Sequence, residues 1–244
     1  MNLDRYLHEL RVNGEQLAQA AEFAGPDAPV PSCPGWTAGA AVGHLAKVHR
    51  WVCWIARGGA PEDFQYRRPA PEELLDFFRA GLTELAAALA RATDGQPMHT
   101  LWPARSPRLF WARRQAHETA IHRVDLQLAA GYGVLDVEPD FAADGLDELV
   151  MGMLSSRLTG AGLDRSYTVL LEPLDVNAAW TLRLAPDGLL ARREPASNAD
   201  LSVFGMASDL YRWAWNRAGD DEVSLRGELP LADWWRSTVR VTAG

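Results

Sequence analysis

Residues 107–130, PRLFWARRQAHETAIHRVDLQLAA, decide how this chain is read. Their apolar spacing predicts a helix, which Gly131 and Gly133 end. Phe110, Ile121, Val124 and Leu128 form its strongest apolar line, and Glu118 and His122 stand beside that line. Four residues apart, Glu118 and His122 project from one face, one turn apart. That spacing lets a carboxylate and an imidazole chelate one metal, although in most proteins an E-x-x-x-H pair is a solvated ion pair. His117 points about 100° away from Glu118 and is a poor third ligand. Asp125 lies one turn beyond His122, placed to hold a metal-binding imidazole by a hydrogen bond.

Upstream, three more helices are expected. Leu3, Leu7, Leu10, Leu17 and Phe23 mark one over residues 2–24, stopped by Gly25, Pro26 and Pro29. The segment VPSCPGW is extended and turn-forming, and Thr37 then caps a helix running to about Ile55. A third starts near Pro71 and buries Leu74, Leu75, Phe78, Leu82, Leu85 and Leu89. With Val48 as the inward direction, His44 falls on the core side of the second helix and His49 at its flank. A core-facing imidazole needs a partner. A hydrogen bond is the common one, and a metal shared with the Glu118–His122 helix is another, since metal sites in bundles are built from facing helices.

Downstream, a fifth helix is expected over about 139–158. After Gly162 the pattern changes to short runs rich in branched and aromatic residues, YTVLLEPL, AWTLRLAP and DLSVFG, with a PDG turn at 186–188. A helix at about 206–217, a strand near Val223–Arg226 and a terminal helix around Trp234 complete the chain. The expected architecture is an all-helical bundle over residues 1–160 followed by a small α+β domain over 161–244, with the boundary near Leu158–Ser166.

The 244 residues carry 24 Lys plus Arg against 32 Asp plus Glu, a net charge of −8. That balance argues against sequence-independent binding to nucleic acid or anionic membranes, both of which need a basic face. Two cysteines, Cys33 and Cys53, cannot build a disulfide framework and read as packing residues. The polar N-terminus and the lack of an apolar run of ~18 residues make a cytoplasmic protein the expectation. No phosphate-binding loop, dinucleotide-binding glycine motif or nucleophile elbow is present in the sequence.

VPSCPGWTAGAAVGHLAKVHRW, QAHETAIHRVDLQLA and ASDLYRWAWNR, in this order and at these separations, resemble the mycothiol-dependent maleylpyruvate isomerase family over nearly the whole chain. The resemblance implies a DinB-like metal-binding four-helix bundle followed by a small α+β domain related to sterol-carrier folds. It implies a divalent metal, usually zinc, held by His44, Glu118 and His122, and mycothiol as co-substrate in an actinobacterial cytosol. The implied activity is that of an isomerase or S-transferase: the thiol is activated as a metal thiolate and adds to a small electrophilic substrate, giving cis–trans isomerisation or thiol transfer. A metal-hydroxide hydrolase and a non-catalytic small-molecule-binding protein are the alternatives. The partners expected are the thiol and a small molecule, not nucleic acid or membrane, for a monomer or homodimer. The resemblance also implies a functional arginine from the C-terminal domain. Arg217 is favoured because it closes the third motif, Arg226 is the next choice, and the competing role for Arg217 is a helix C-terminal cap.

Overall fold

The computed structural model describes residues 1–157 and 162–239. They form two compact units, Met1–Leu135 and a second that starts at Asp136. The first is helical and the second contains a mixed sheet, which is the architecture expected.

The first unit contains α1 (Leu3–Ala24), α2 (Ala38–Ala56), α3 (Leu74–Arg91) and α4 (Pro107–Ala130). Side chains close the free amides at three of the N-termini. Asn2 Oδ1 accepts from the Arg5 amide at 3.0 Å, Thr37 Oγ1 from Ala40 at 3.2 Å and Ser106 Oγ from Leu109 at 3.3 Å. Pro107 follows Ser106 at the first helical position, where its missing N–H is not needed. Gly131 ends α4 with φ 73°, a left-handed conformation that favours glycine. The start expected for α3 at Pro71 is a 3₁₀ turn, Pro71–Glu73, and the α-helix begins at Leu74.

Leu17 and Ala21 of α1, Ala41, Val42 and Leu45 of α2, Phe78 of α3 and Leu126 of α4 share one buried cluster. Burying each large side chain contributes about 1.5–3 kcal/mol. α4 differs from the one-sided helix expected. It is buried on nearly all sides between Phe110 and Gln127, including Gln115, His117, Thr119, Arg123 and Asp125. Its polar groups must then look to protein for partners: Arg123 Nη1 donates to Gln16 Oε1 of α1 at 3.3 Å, while Gln115 Oε1 is buried with no hydrogen-bond partner among the described residues.

The second unit opens with α5 (Pro139–Glu148), a π turn (Leu149–Met153) and α6 (Leu154–Arg157). Its sheet has the order β3-β2-β1-β4-β5, formed by β1 (Tyr167–Pro173), β2 (Trp180–Ala185), β3 (Gly188–Arg192), β4 (Leu201–Gly205) and β5 (Ser224–Gly227). β1 runs parallel to β4, and the other neighbours are antiparallel. Pro186 and Asp187 close the β2–β3 hairpin, whose last pair is Ala185 with Gly188. α7 (Ala207–Ala214) lies between β4 and β5 in sequence, and α8 (Pro230–Thr238) follows β5. Trp213 of α7 stacks on Trp235 of α8, with ring centroids 5.7 Å apart.

The units divide between Leu135 and Asp136, upstream of the boundary read from the sequence near Leu158–Ser166. Residues 158–161 of that expected boundary lie outside the described residues. The helix that opens the second unit belongs there by its contacts. α5 packs on α7, and Trp180 of β2 donates its indole N–H to Asp147 of α5 at 3.0 Å. Helical periodicity identifies such a segment as a helix but does not say which apolar surface it covers. No helix among the described residues is long and apolar enough to cross a membrane.

Candidate metal centre

His44 from α2 and Glu118 and His122 from α4 meet in the first unit. Among the described residues they are the one group of three His, Cys, Asp or Glu side chains poised for a metal, with one ligand atom from each lying within 4.8 Å of the others. Glu118 Oε1 is central, 3.3 Å from His44 Nε2 and 3.4 Å from His122 Nε2. Tetrahedral bonds of ~2.0–2.1 Å to one metal place neighbouring donor atoms roughly 3.3–3.4 Å apart. Two imidazole nitrogens and a carboxylate oxygen also suit zinc. The residues present therefore fit the metal that the sequence resemblance implies.

Two of the three donors are held by a further residue. Arg114, one turn before Glu118 on α4, donates from Nη2 to Glu118 Oε2 at 2.8 Å, leaving Oε1 turned to the histidines. Asp125 is fully buried, and its Oδ2 lies 2.9 Å from His122 Nδ1. A proton on Nδ1 donated to Asp125 leaves the Nε2 lone pair free to bind metal. Burial pushes the Glu118 carboxyl up. The hydrogen bonds from His122 and His44 and the charge of Arg114 outweigh it and hold the carboxyl well below its ordinary range. In the metal-free protein, burial pulls His122 down, but the hydrogen bonds to Asp125 and Glu118 prevail and raise it to about 9. A metal must displace that second proton, so binding is coupled to proton release.

The loop before α2 forms one wall. Trp36 lies parallel to the His122 ring, with centroids 6.1 Å apart and an interplanar angle of 4°. It is tilted against His44 at 5.3 Å. Arg68 brings its Nη2 to within 3.6 Å of the position a β-carbon on Gly43 would take, next to His44. Trp36, Arg68 and Arg114 were not singled out from the sequence. Arg114 carried a readable signal, the four-residue spacing to Glu118. The other two sit on loops whose course depends on tertiary packing.

The two histidines of α2 exchange the environments expected of them. His49 is fully buried, while the His44 side chain keeps 16% exposure at the rim. Val48, taken as the inward direction, is half-buried. The inward line of α2 runs instead through Ala38, Ala41, Val42, Leu45, His49 and Val52. His49 is the core histidine. Its Nε2 lies 3.0 Å from Thr119 Oγ1 and its ring stacks on Phe78. Burial lowers its pKa to about 3, so it is neutral. His44 meets Glu118 because it lies beside the core face rather than on it.

Arg217 is placed in the second unit, two residues after the Trp215 that caps α7. It is 8% exposed, and its Nη1 donates to the Trp215 carbonyl at 2.7 Å. Asn216, at φ 58°, turns the chain there. Arg226 is exposed on β5, with its guanidinium 5.3 Å over the Phe204 ring.

The Asp125 contact carries a prediction. Asp125→Asn is expected to weaken zinc affinity about 10–100-fold without abolishing the site, because the amide cannot supply the charge that orients and polarises His122. Competition with a chromophoric chelator measures it. A loss as complete as that of a ligand mutant would make Asp125 itself a ligand.

Residues 7–127 match the family described as the mycothiol maleylpyruvate isomerase N-terminal domain. Two solved structures have a similar fold. The crystal structure of the mycothiol-dependent maleylpyruvate isomerase aligns with a TM-score of 0.65 at 16% identity, covering 92% of this chain and 93% of that one. The structure of a mutant of that isomerase aligns with the same TM-score at 15% identity and the same coverage. No curated protein sequence matches this chain. Residues 7–127 thus belong to the mycothiol maleylpyruvate isomerase N-terminal domain family.

Proposed function

We propose that this protein is a metal-dependent enzyme that uses a low-molecular-weight thiol, mycothiol, to attack a small electrophilic substrate. The observation that carries the reading is the position of Glu118 Oε1, 3.3 and 3.4 Å from two imidazole nitrogens, in a domain of this family. A divalent metal, zinc in this reading, would be held by His44, Glu118 and His122, and when bound would favour the thiolate form of the thiol at neutral pH. Three protein ligands leave a position for an exogenous one, as in catalytic rather than structural zinc sites.

The chain's own residues prepare that position. Arg114 holds Glu118, Asp125 keeps the His122 proton on Nδ1, and Trp36 shields one side of the ligand rings from water. The sulfur adds to the activated double bond of the substrate, forming a C–S bond and converting C=C to a single bond. Rotation followed by expulsion of the thiolate regenerates the double bond in the trans form, so thiol is not consumed. If the substrate offers another leaving group, the thiol stays and the product is a conjugate. An anionic substrate needs a cation, for which Arg217 is the proposed clamp, and Arg68 beside Gly43 adds a second positive group on the first unit. The protein acts in the cytoplasm in this reading.

Turnover of maleylpyruvate by the zinc-loaded protein, followed by ultraviolet absorbance with and without mycothiol, tests the proposal. Isomerisation or conjugation that requires both metal and thiol is expected. Ester or amide hydrolysis without thiol would overturn it. In the cobalt-substituted protein, mycothiol should add a sulfur-to-cobalt charge-transfer band.

A further inference from the structure

Ser32 and Cys33 lie in the turn that precedes α2, and Asp125 lies on α4, more than 90 positions away. The structure brings them together. Ser32 Oγ donates to Asp125 Oδ1 at 2.5 Å, and Cys33 Sγ lies 3.5 Å from Asp125 Oδ2. The same Oδ2 faces His122 Nδ1 at 2.9 Å. Asp125 is fully buried, so its carboxylate depends on protein donors for solvation and direction. A hydroxyl bonded to one oxygen restrains rotation of the carboxylate about its χ2 axis and so sets where the other oxygen points.

The turn is itself well anchored. The Val30 amide bonds the Trp36 carbonyl at 3.0 Å, Cys33 bonds back to Val30 at 3.1 Å, and Trp36 bonds back to Cys33 at 3.0 Å. Pro29 and Thr37 pair as an isolated antiparallel bridge at its base. Val30 is buried in the core cluster that also holds Leu126, the neighbour of Asp125. The Ser32 hydroxyl is therefore presented from a rigid frame rather than from a free loop.

We propose that Ser32 is a positioning residue for the metal centre: its hydroxyl fixes the Asp125 carboxylate, which in turn sets the tautomer and ring orientation of His122. This inference rests on the metal site proposed above. The relay runs from the Ser32 hydroxyl to Asp125 Oδ1, from Asp125 Oδ2 to His122 Nδ1, and leaves His122 Nε2 directed at Glu118. It gives the PSCPGW turn two grips on one ligand, a hydrogen-bonded one through Asp125 and an aromatic one through Trp36.

The test is zinc affinity of the full chain by chelator competition, with the visible spectrum of the cobalt-loaded protein and the melting temperature of the metal-free protein recorded beside it. Ser32→Ala is expected to weaken zinc about 10-fold, at the lower end of what partners of metal ligands contribute, and to shift the cobalt ligand-field bands. Ser32→Thr and Ser32→Val have nearly the same shape and differ by a hydroxyl. Thr should bind zinc like the wild type and Val like Ala, which keeps the test decisive even if Ala disturbs the turn. In the Asp125→Asn background, adding Ser32→Ala should cost little further, because the carboxylate charge through which it acts on His122 is gone. Equal zinc affinity for the Thr and Val variants, or a full additional loss in the Asp125→Asn background, would overturn the relay. Wild-type protein that binds no zinc would overturn the metal site, and this inference with it; zinc bound normally by both wild type and Ser32→Val would overturn this inference alone.

Discussion

Protein in which both His44 and His122 are replaced by alanine is expected to purify with almost no zinc, and the wild type with one per chain. The two changes remove both imidazole donors and leave Glu118 as the one remaining ligand of the three. Structural zinc sites with a full set of protein ligands supply roughly 10–16 kcal/mol of binding free energy. Losing even about 5 kcal/mol of that weakens binding on the order of 10⁴-fold. Metal analysis after gel filtration reads the result directly, and stoichiometric zinc in the double mutant would refute the assignment. His49→Ala separates ligand from core. His49 is fully buried against Phe78 and Thr119, so its loss should lower the melting temperature while zinc remains. The same measurements distinguish the rim histidine from the core histidine of one helix, five residues apart.

The second large effect concerns Arg217. Arg217→Ala is expected to reduce turnover of an anionic substrate by about 10²-fold or more if the guanidinium clamps a carboxylate, since a charge-assisted bidentate pair both binds and orients. Zinc content should stay unchanged, because Arg217 belongs to the second unit and not to the ligand set. The competing role has support of its own. Nη1 donates to the Trp215 carbonyl at the end of α7, and the side chain is 8% exposed. A cap predicts the opposite pattern, with activity kept and melting temperature lowered. Steady-state kinetics and a melting curve on the same sample decide between them. Arg226→Ala and Arg68→Ala form the comparison set. A large rise in KM for Arg68→Ala with a silent Arg217→Ala would move the anion contact to the side of His44.

Several features were legible in the residues alone because they depend on local physics. The α4 boundaries at Pro107 and Ala130 follow from glycine termination and apolar spacing, and the Thr37 cap of α2 follows from a short polar side chain ahead of an apolar helix. The Glu118–His122 pairing follows from helical pitch, and the change from helices to strands follows from branched and aromatic runs divided by turns. His44 was reached partly by a helical wheel that set its inward direction at Val48, and the structure moves that direction to Leu45 and His49. The wheel thus favoured His44 over His49 from a misplaced inward direction, and the motif resemblance is what supports that choice. What tertiary structure alone decided are relations between segments. A wheel built on one helix does not contain the positions of its neighbours, so the all-round burial of α4 and the attachment of α5 to the second unit could not be read from it. The 2.5 Å contact between Ser32 and Asp125 and the stacking of Trp36 on His122 are of the same kind. Each joins residues separated by more than 80 positions, and hydrogen bonding and ring packing act over a few ångströms of space, whatever the distance along the chain.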